Sequence, residues 1–189
     1  MNIVLIGYRC SGKTSIGKRL ADQLGMAFID TDEKVEGKAG LSIGEIVARW
    51  GWGRFRDMER DIVERVSSMD NRVIATGGGV VVDEKNIKRL KANGFLVWLD
   101  AAAPILKQRM MQDPGSGANR PSLTGTGSIN ELGAVLDSRI PLYRSASDLV
   151  VDSGLLDIHE ATAAIAVSLL SHPADGAPFP AGAIGRQRA

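Results

Sequence analysis

The sequence predicts a single α/β domain with three α/β/α layers, in which a five-stranded parallel sheet carries helices on both faces. Two observations support this class. Short apolar runs alternate along the chain with segments of helical periodicity. The first run, residues 3–6, leads into Gly7-Tyr8-Arg9-Cys10-Ser11-Gly12-Lys13-Thr14, which fits the G-x-x-x-x-G-K-[ST] pattern of a P-loop, and a helix follows at residues 15–24.

The remaining elements follow from apolar spacing, capping residues and glycines. The predicted strands cover residues 3–6, 26–29, 72–75, 94–99 and 148–151. The predicted helices cover residues 15–24, 42–50, 54–67, about ten residues after Asp83, a segment around 105–110, 128–139 (ending near 141–144) and 155–170. Residues 51–53 break one helix from the next, and residues 80–82 continue the chain briefly before Asp83.

The P-loop predicts that the chain binds a nucleoside triphosphate. Backbone N–H groups at the start of a helix form a cradle for phosphate. Lys13 would reach the β- and γ-phosphates, and the Thr14 hydroxyl would bind Mg²⁺. The alternative is a glycine-rich turn that binds nothing. The predicted nucleotide-binding residues here are Gly7, Tyr8, Arg9, Cys10, Ser11, Gly12, Lys13, Thr14 and Ser15.

Composition narrows the class of protein. The chain has 189 residues, of which 44% are hydrophobic and 24% charged, as in an ordinary globular domain. The net charge is +1 with scattered basic residues, so we expect neither a nucleic acid nor a membrane partner. The single cysteine excludes an internal disulfide, and without a recognisable signal peptide we expect a cytoplasmic protein. Residues 1–171 form the predicted domain, and residues 172–189 are expected to be a disordered tail.

Two carboxylates follow the second strand. Strand alternation would place Asp30 and Asp32 on one side and Thr31 on the other. The carboxyl end of a strand is where open α/β sheets bind ligands, so one could hold Mg²⁺ through water and the other a substrate hydroxyl. The alternative is a solvated turn that caps the next helix.

Two further features suggest ligand contacts. Gly77, Gly78 and Gly79 follow the third strand and permit positive φ and close approach of the backbone to a ligand, although a tight crossover turn is the alternative. Arg56 and Glu59 are neighbours on a helix, either as a functional pair or as solvated charges.

Residues 112–127 lack any periodicity and contain four glycines and two prolines. Composition alone would suggest a linker, but too little chain follows for a second domain. We therefore expect a mobile lid, and Arg120 within it would suit phosphoryl transfer. Ser128 and Glu131 are expected to form a capping box for the next helix.

Taken together, these motifs resemble the shikimate kinases, in the nucleoside monophosphate kinase branch of P-loop proteins. The resemblance runs from Met1 to about Leu170. It rests on the P-loop, the sequence Asp30-Thr31-Asp32, Phe55-Arg56-x-x-Glu59, the run 73–81 with its three glycines, Arg120-Pro121 and Arg139-x-Pro141-Leu142-Tyr143.

The resemblance implies a P-loop kinase with a mobile lid that uses ATP and Mg²⁺ to phosphorylate shikimate on its 3-hydroxyl. Asp32, Arg56, Gly77, Gly78, Gly79 and Arg139 would bind shikimate, with the arginines on its carboxylate. Lys13, Asp32 and Arg120 would be the catalytic residues, Thr14 and Asp30 would hold Mg²⁺, and Arg109 and Arg120 would contact the nucleotide. We expect a monomer.

Two residues depart from the pattern of the family. Cys10 replaces a glycine of the P-loop, which predicts a stiffer loop, and Trp52 replaces the acidic residue of a Gly-Glu pair before the Phe-Arg helix. Two other functions stay open from the sequence: a kinase for another small acid such as gluconate, and a catalytically silent domain that binds ligands. A silent relative would be expected to lose Lys13, Asp32 or Arg120.

Overall fold

The computed structural model describes residues 1–113 and 129–171. The five strands are β1 (Asn2–Ile6), β2 (Ala27–Asp30), β3 (Arg72–Ala75), β4 (Gly94–Asp100) and β5 (Leu149–Asp152). All five run parallel, as the sequence predicts, and their order in the sheet is β2-β3-β1-β4-β5. The helices are α1 (Lys13–Leu24), α2 (Thr31–Ala39), α3 (Ile43–Ser67), α4 (Glu84–Ala92), α5 (Ala103–Gln112), α6 (Leu132–Ala146) and α7 (Ile158–Ser171).

Alternation along β1 builds a core on each face of the sheet. Val4 and Ile6 pack into one core with residues of α3, α4 and α6, whereas Ile3 and Leu5 pack into the other with residues of α1 and α7. All four side chains are fully buried. A strand buried on both faces must be apolar at every position, and for this reason the run 3–6 is continuous rather than alternating.

The strand order places the ligand crevice between β1 and β3. The chain leaves β1 toward β2 on one side, and it leaves β3 toward β4 on the other. Such a reversal opens a crevice at the carboxyl ends of the strands. The P-loop follows β1 and residues 77–79 follow β3, so both glycine segments border this crevice.

The structure corrects the prediction for the residues after β2. The strand ends at Asp30 and α2 begins at Thr31, so Asp30 and Asp32 do not alternate along a strand. Asp30 is the N-cap of α2, and its side chain accepts hydrogen bonds from the N–H groups of Asp32 and Glu33. Capping by the carboxylate favours an immediate helix start over a longer strand.

Other boundaries agree with the sequence more closely. Gly51 (φ 77°, ψ 171°) interrupts helical geometry inside α3, as the glycines of that segment predict. Residues 80–82 form a short 3₁₀ helix. Helix α6 continues through Pro141 to Ala146, slightly beyond its predicted end. The greater part of the expected lid and the whole expected tail lie outside the described residues.

Within residues 1–113 and 129–171, no helix combines the length and apolar character needed to cross a membrane.

Gly17 packs α1 against the sheet so closely that a methyl group would not fit. A Cβ there would lie 2.6 Å from Phe28 Cε2 and 3.1 Å from Leu5 Cδ1. We predict that Gly17→Ala lowers the free energy of unfolding, because an overpacking cost of about 1–3 kcal/mol exceeds the gain of about 1 kcal/mol in helix propensity. Urea denaturation measures this change.

The matched control is Gly37→Ala in α2, where a Cβ would have no atom within 4 Å. This variant should gain about 0.5–1 kcal/mol, the ordinary advantage of alanine over glycine in a helix. Equal effects of the two substitutions would contradict the packing argument.

Candidate active site

The P-loop begins the site at the carboxyl end of β1. Lys13 is the first residue of α1, and its ammonium donates hydrogen bonds to the carbonyl oxygens of Gly7 at 2.9 Å and Tyr8 at 2.7 Å. Cys10 adopts φ 60°, the left-handed region that L residues usually avoid at a cost of roughly 1–2 kcal/mol. Cys10, which is expected to stiffen the P-loop, therefore also strains its backbone.

Thr14 and Asp30 bring a hydroxyl and a carboxylate together beside this loop. Thr14 Oγ1 donates a hydrogen bond to Asp30 Oδ2 at 2.9 Å. The other carboxylate oxygen of Asp30 caps α2, so the capping interpretation is confirmed, while Mg²⁺ binding by Asp30 stays a prediction. These are hard oxygen donors of the kind that Mg²⁺ prefers when phosphates complete its coordination.

A cavity of about 990 Å³ opens over the P-loop. Its lining includes Cys10, Ser11, Gly12, Lys13, Thr14, Ser15, Asp30, Asp32 and Arg109. Arg109 reaches it from α5 and donates hydrogen bonds to the carbonyl oxygens of Cys10 at 3.3 Å and Ser153 at 2.7 Å. The predicted nucleotide-binding residues 10–15 and Arg109 thus line the same cavity as the predicted Mg²⁺ ligands.

A second pocket adjoins the cavity on the other side of the P-loop. It is lined by Tyr8, Arg9, Asp32, Ile43, Trp52, Phe55, Arg56, Glu59, Gly77, Gly78, Gly79 and Arg139. All six residues that the resemblance implies for shikimate therefore meet here. Asp32 and Ile43 line both spaces, so the carboxylate of Asp32 lies at their boundary.

The glycines after β3 are needed for close approach, not for positive φ. None of them adopts the left-handed region. A Cβ at Gly77 would lie 2.6 Å from Asp32 Oδ1 and 2.9 Å from Glu59 Oε1, and one at Gly79 would lie 2.2 Å from Arg56 Nη2. The half of the prediction that invoked positive φ is wrong, and the half that invoked close backbone approach describes this turn.

Two residues of α6 fix the middle of this glycine turn. Arg139 Nη1 donates a hydrogen bond to the Gly78 carbonyl oxygen at 3.2 Å, and the Tyr143 hydroxyl donates to the same oxygen. Burial raises the pKa of Tyr143, so its hydroxyl stays a donor. The Tyr143 ring is fully buried and stacks on Trp98 of β4 at 5.7 Å between centroids.

Arg56 and Glu59 form an ion pair in which Glu59 is buried and Arg56 is partly exposed, so they are not two solvated surface charges. Arg56 Nη1 donates to Glu59 Oε2 at 2.6 Å, and the Glu59 side chain is only 1% exposed. Within the described part of the chain, Glu59 Oε1 has no hydrogen-bond partner. Glu59 lies four residues after Phe55 on the apolar stripe of α3, a position that already signals burial in the sequence.

Sequence reasoning missed a second buried ion pair at the pocket. Arg9 Nη2 lies 3.1 Å from Glu131 Oε1, and the two side chains are 8% and 1% exposed. Glu131, one residue of the expected capping box, is thus paired with Arg9 of the P-loop. Ser128, the other residue, lies outside the described residues. The Tyr8 and Arg9 side chains line the second pocket and not the nucleotide cavity. Arg120 also lies outside the described residues.

The fold and these two spaces define a P-loop kinase. A phosphate loop faces a large cavity, and an arginine-lined pocket lies beside it, with Asp32 lining both.

Comparison with known proteins narrows the class. A family model described as shikimate kinase matches residues 9–169. A shikimate kinase of Syntrophus aciditrophicus is 40% identical over 167 residues, covering 84% of this chain and 86% of that protein. One of Oleidesulfovibrio alaskensis is 42% identical over 151 residues, covering 80% of this chain and 87% of its own.

A solved structure shares the whole architecture. Shikimate kinase from Acinetobacter baumannii, in complex with shikimate, aligns with a TM-score of 0.83 at 32% identity, covering 90% of this chain and 93% of that chain. The chain belongs to the shikimate kinase family and is a kinase enzyme.

Glu59 gives the site a pH-dependent contribution to stability. Burial raises the pKa of its carboxyl above the ordinary 4.5, against the attraction of Arg56 and with a smaller increase from Asp32. The folded protein then holds this proton at pH values where the unfolded chain has lost it. The stabilising contribution is therefore complete below about pH 4.5 and falls as the pH rises through the folded-state pKa.

We predict that the free energy of unfolding of the wild type, minus that of Glu59→Gln, decreases as the pH rises from about 4.5 to about 8. Glutamine has the same shape but does not titrate, so the difference isolates this group. Urea denaturation of both proteins across the range measures it. A difference that stays constant or grows with pH would show that burial does not raise this pKa.

Proposed function

We propose that the chain transfers the γ-phosphoryl group of ATP to the 3-hydroxyl of shikimate, giving shikimate 3-phosphate and ADP in aromatic amino-acid (chorismate) biosynthesis. One observation carries the proposal. Asp32 lies on the wall shared by the P-loop cavity and the arginine-lined pocket. A carboxylate at this boundary is suited to orient an acceptor hydroxyl toward a phosphate and to accept its proton.

The arginines of the second pocket suit the carboxylate of the substrate. Arg56 lies against Gly79 and Arg139 binds the Gly78 carbonyl oxygen, and guanidinium groups form bidentate, charge-assisted bonds with carboxylates. Gly77 and Gly79 leave room for the side chains of Asp32, Glu59 and Arg56, which would face the substrate in this pocket.

Lys13 and Arg120 would stabilise the charge that develops during transfer. The Lys13 ammonium lies over the P-loop, where the β- and γ-phosphates are expected. Arg120 would approach the γ-phosphoryl group from the lid. Thr14 and Asp30 would hold Mg²⁺, which neutralises phosphate charge when bound, and Arg109 would contact the nucleotide. A monomeric state and a cytoplasmic location stay predictions.

A coupled assay of ADP release tests the function against both alternatives. We expect rapid turnover with shikimate, little with gluconate and little without acceptor. Turnover with gluconate alone would favour a kinase for another acid, and no turnover would favour a silent domain. The relatives named above are all shikimate kinases, which supports shikimate.

Lys13→Ala should remove most of this activity, because the ammonium serves transition-state charge. The control is Lys34→Ala, an exposed lysine on α2, which should retain wild-type turnover. Circular dichroism would check that both variants fold. A folded Lys13→Ala variant with turnover within a few-fold of the wild type would exclude the assigned role.

The roles proposed for Arg139 and Arg120 predict effects on different kinetic constants, KM for the first and kcat for the second. Arg139 would bind a carboxylate whose charge does not change, so Arg139→Ala should raise KM for shikimate about 10- to 100-fold and leave KM for ATP nearly unchanged. Arg120 would meet charge that redistributes in the transition state, so Arg120→Ala should lower kcat by about 10³-fold. Steady-state kinetics with each substrate varied measures both.

Arg144→Ala provides the control, since Arg144 is exposed on the same helix as Arg139. Equal weakening of ATP and shikimate by Arg139→Ala, or a change in KM alone from Arg120→Ala, would refute the assignment.

A further inference from the structure

The Arg56 guanidinium in the second pocket lies against two aromatic rings. Its Cζ atom is 5.6 Å from the centroid of the Trp52 ring and 5.2 Å from that of Phe55. Both distances fall within the range of about 6 Å at which a cation is attracted by an aromatic face. The two rings meet edge to face at 5.6 Å and so support each other.

The kink in α3 sets the position of Trp52. Helical geometry is interrupted at Gly51, and Trp52 begins the second part of the helix. Trp52 precedes Arg56 by four residues, which places the two side chains on one helix face. The indole is half-buried, packs against the core and lines the pocket.

Two further groups bound the guanidinium, which remains partly exposed. Glu59 accepts one of its N–H groups at 2.6 Å, and the Gly79 backbone lies so close that a Cβ there would be 2.2 Å from Nη2. A guanidinium has five N–H donors. An aromatic face attracts the cation without using any of them, whereas a carboxylate at the same place would compete for them.

We propose that Trp52 is a positioning residue for the acidic substrate. Its indole holds the Arg56 guanidinium so that the N–H groups not taken by Glu59 point at the substrate carboxylate. The proposal rests on the function proposed above for Arg56. It also explains how tryptophan serves where the resembled family has an acidic residue.

Trp52→Leu tests the proposal, because leucine keeps an apolar side chain and removes the aromatic face. We expect KM for shikimate to rise about threefold to thirtyfold, with KM for ATP changed less than about twofold. Trp52→Phe should have a smaller effect. The matched control is Trp50→Leu, since Trp50 lies two residues earlier and is 53% exposed, and its KM values should equal those of the wild type.

A second substrate distinguishes positioning of Arg56 from general damage to the pocket. The carboxamide analogue of shikimate lacks the charge that Arg56 would bind. If Trp52 acts through Arg56, Trp52→Leu should lower kcat/KM for shikimate by the factor above but change kcat/KM for the carboxamide less than about twofold. Disruption of the pocket would lower both values alike.

Arg56→Ala separates failure of this proposal from failure of the role on which it rests. If Arg56→Ala leaves KM for shikimate unchanged, the role of Arg56 itself is wrong. If Arg56→Ala raises it while Trp52→Leu does not, the Trp52 proposal alone is overturned. An equal effect of Trp52→Leu on shikimate and its carboxamide, or on shikimate and ATP, also overturns it.

Discussion

The close approach of the backbone at residues 77–79 to the groups around it is the constraint on which the site depends. Asp32, Glu59 and Arg56 all occupy space that a side chain on this turn would fill. The Thr31 hydroxyl accepts a hydrogen bond from the Gly77 N–H, while Arg139 and Tyr143 donate to the Gly78 carbonyl oxygen. One short turn therefore contacts α2, α3 and α6 at the carboxyl edge of the sheet.

Much of this arrangement was predictable because it depends on local signals. The parallel direction of the strands follows from alternating apolar runs and helices, and the P-loop defines where the crevice begins, whereas the order of the strands was not predicted. The resemblance adds Arg56, Gly79 and Arg139, which the fold brings to one pocket from three separate elements. Their grouping was implied by family pattern and not by periodicity, since no local rule relates α3 to α6.

One feature that the sequence left open is decided by a local contact, and one that sequence reasoning missed depends on a contact between distant residues. A capping carboxylate decides that α2 begins at Thr31, and Asp30 could equally have ended a longer strand. The Arg9–Glu131 pair joins residues that are 122 positions apart, and nothing in either local sequence indicates the other. The three glycines correctly indicated a close approach of the backbone and wrongly suggested positive φ. Both requirements favour glycine, so the residue type alone does not distinguish them.

The charges of the second pocket also indicate how it would favour an acidic substrate over a neutral one. Burying a charge is costly unless a partner compensates it. Arg9 is compensated by Glu131, and Arg56 by Glu59. For Arg139, which is 9% exposed, no carboxylate among the described residues lies within 4 Å, and its hydrogen bond to Gly78 uses one of five donors. A substrate carboxylate would complete this environment, whereas a neutral ligand of the same shape would leave the guanidinium poorly compensated. Under the proposed function, discrimination for an acid would follow from the cost of leaving Arg139 without a carboxylate partner as much as from the strength of any new bond.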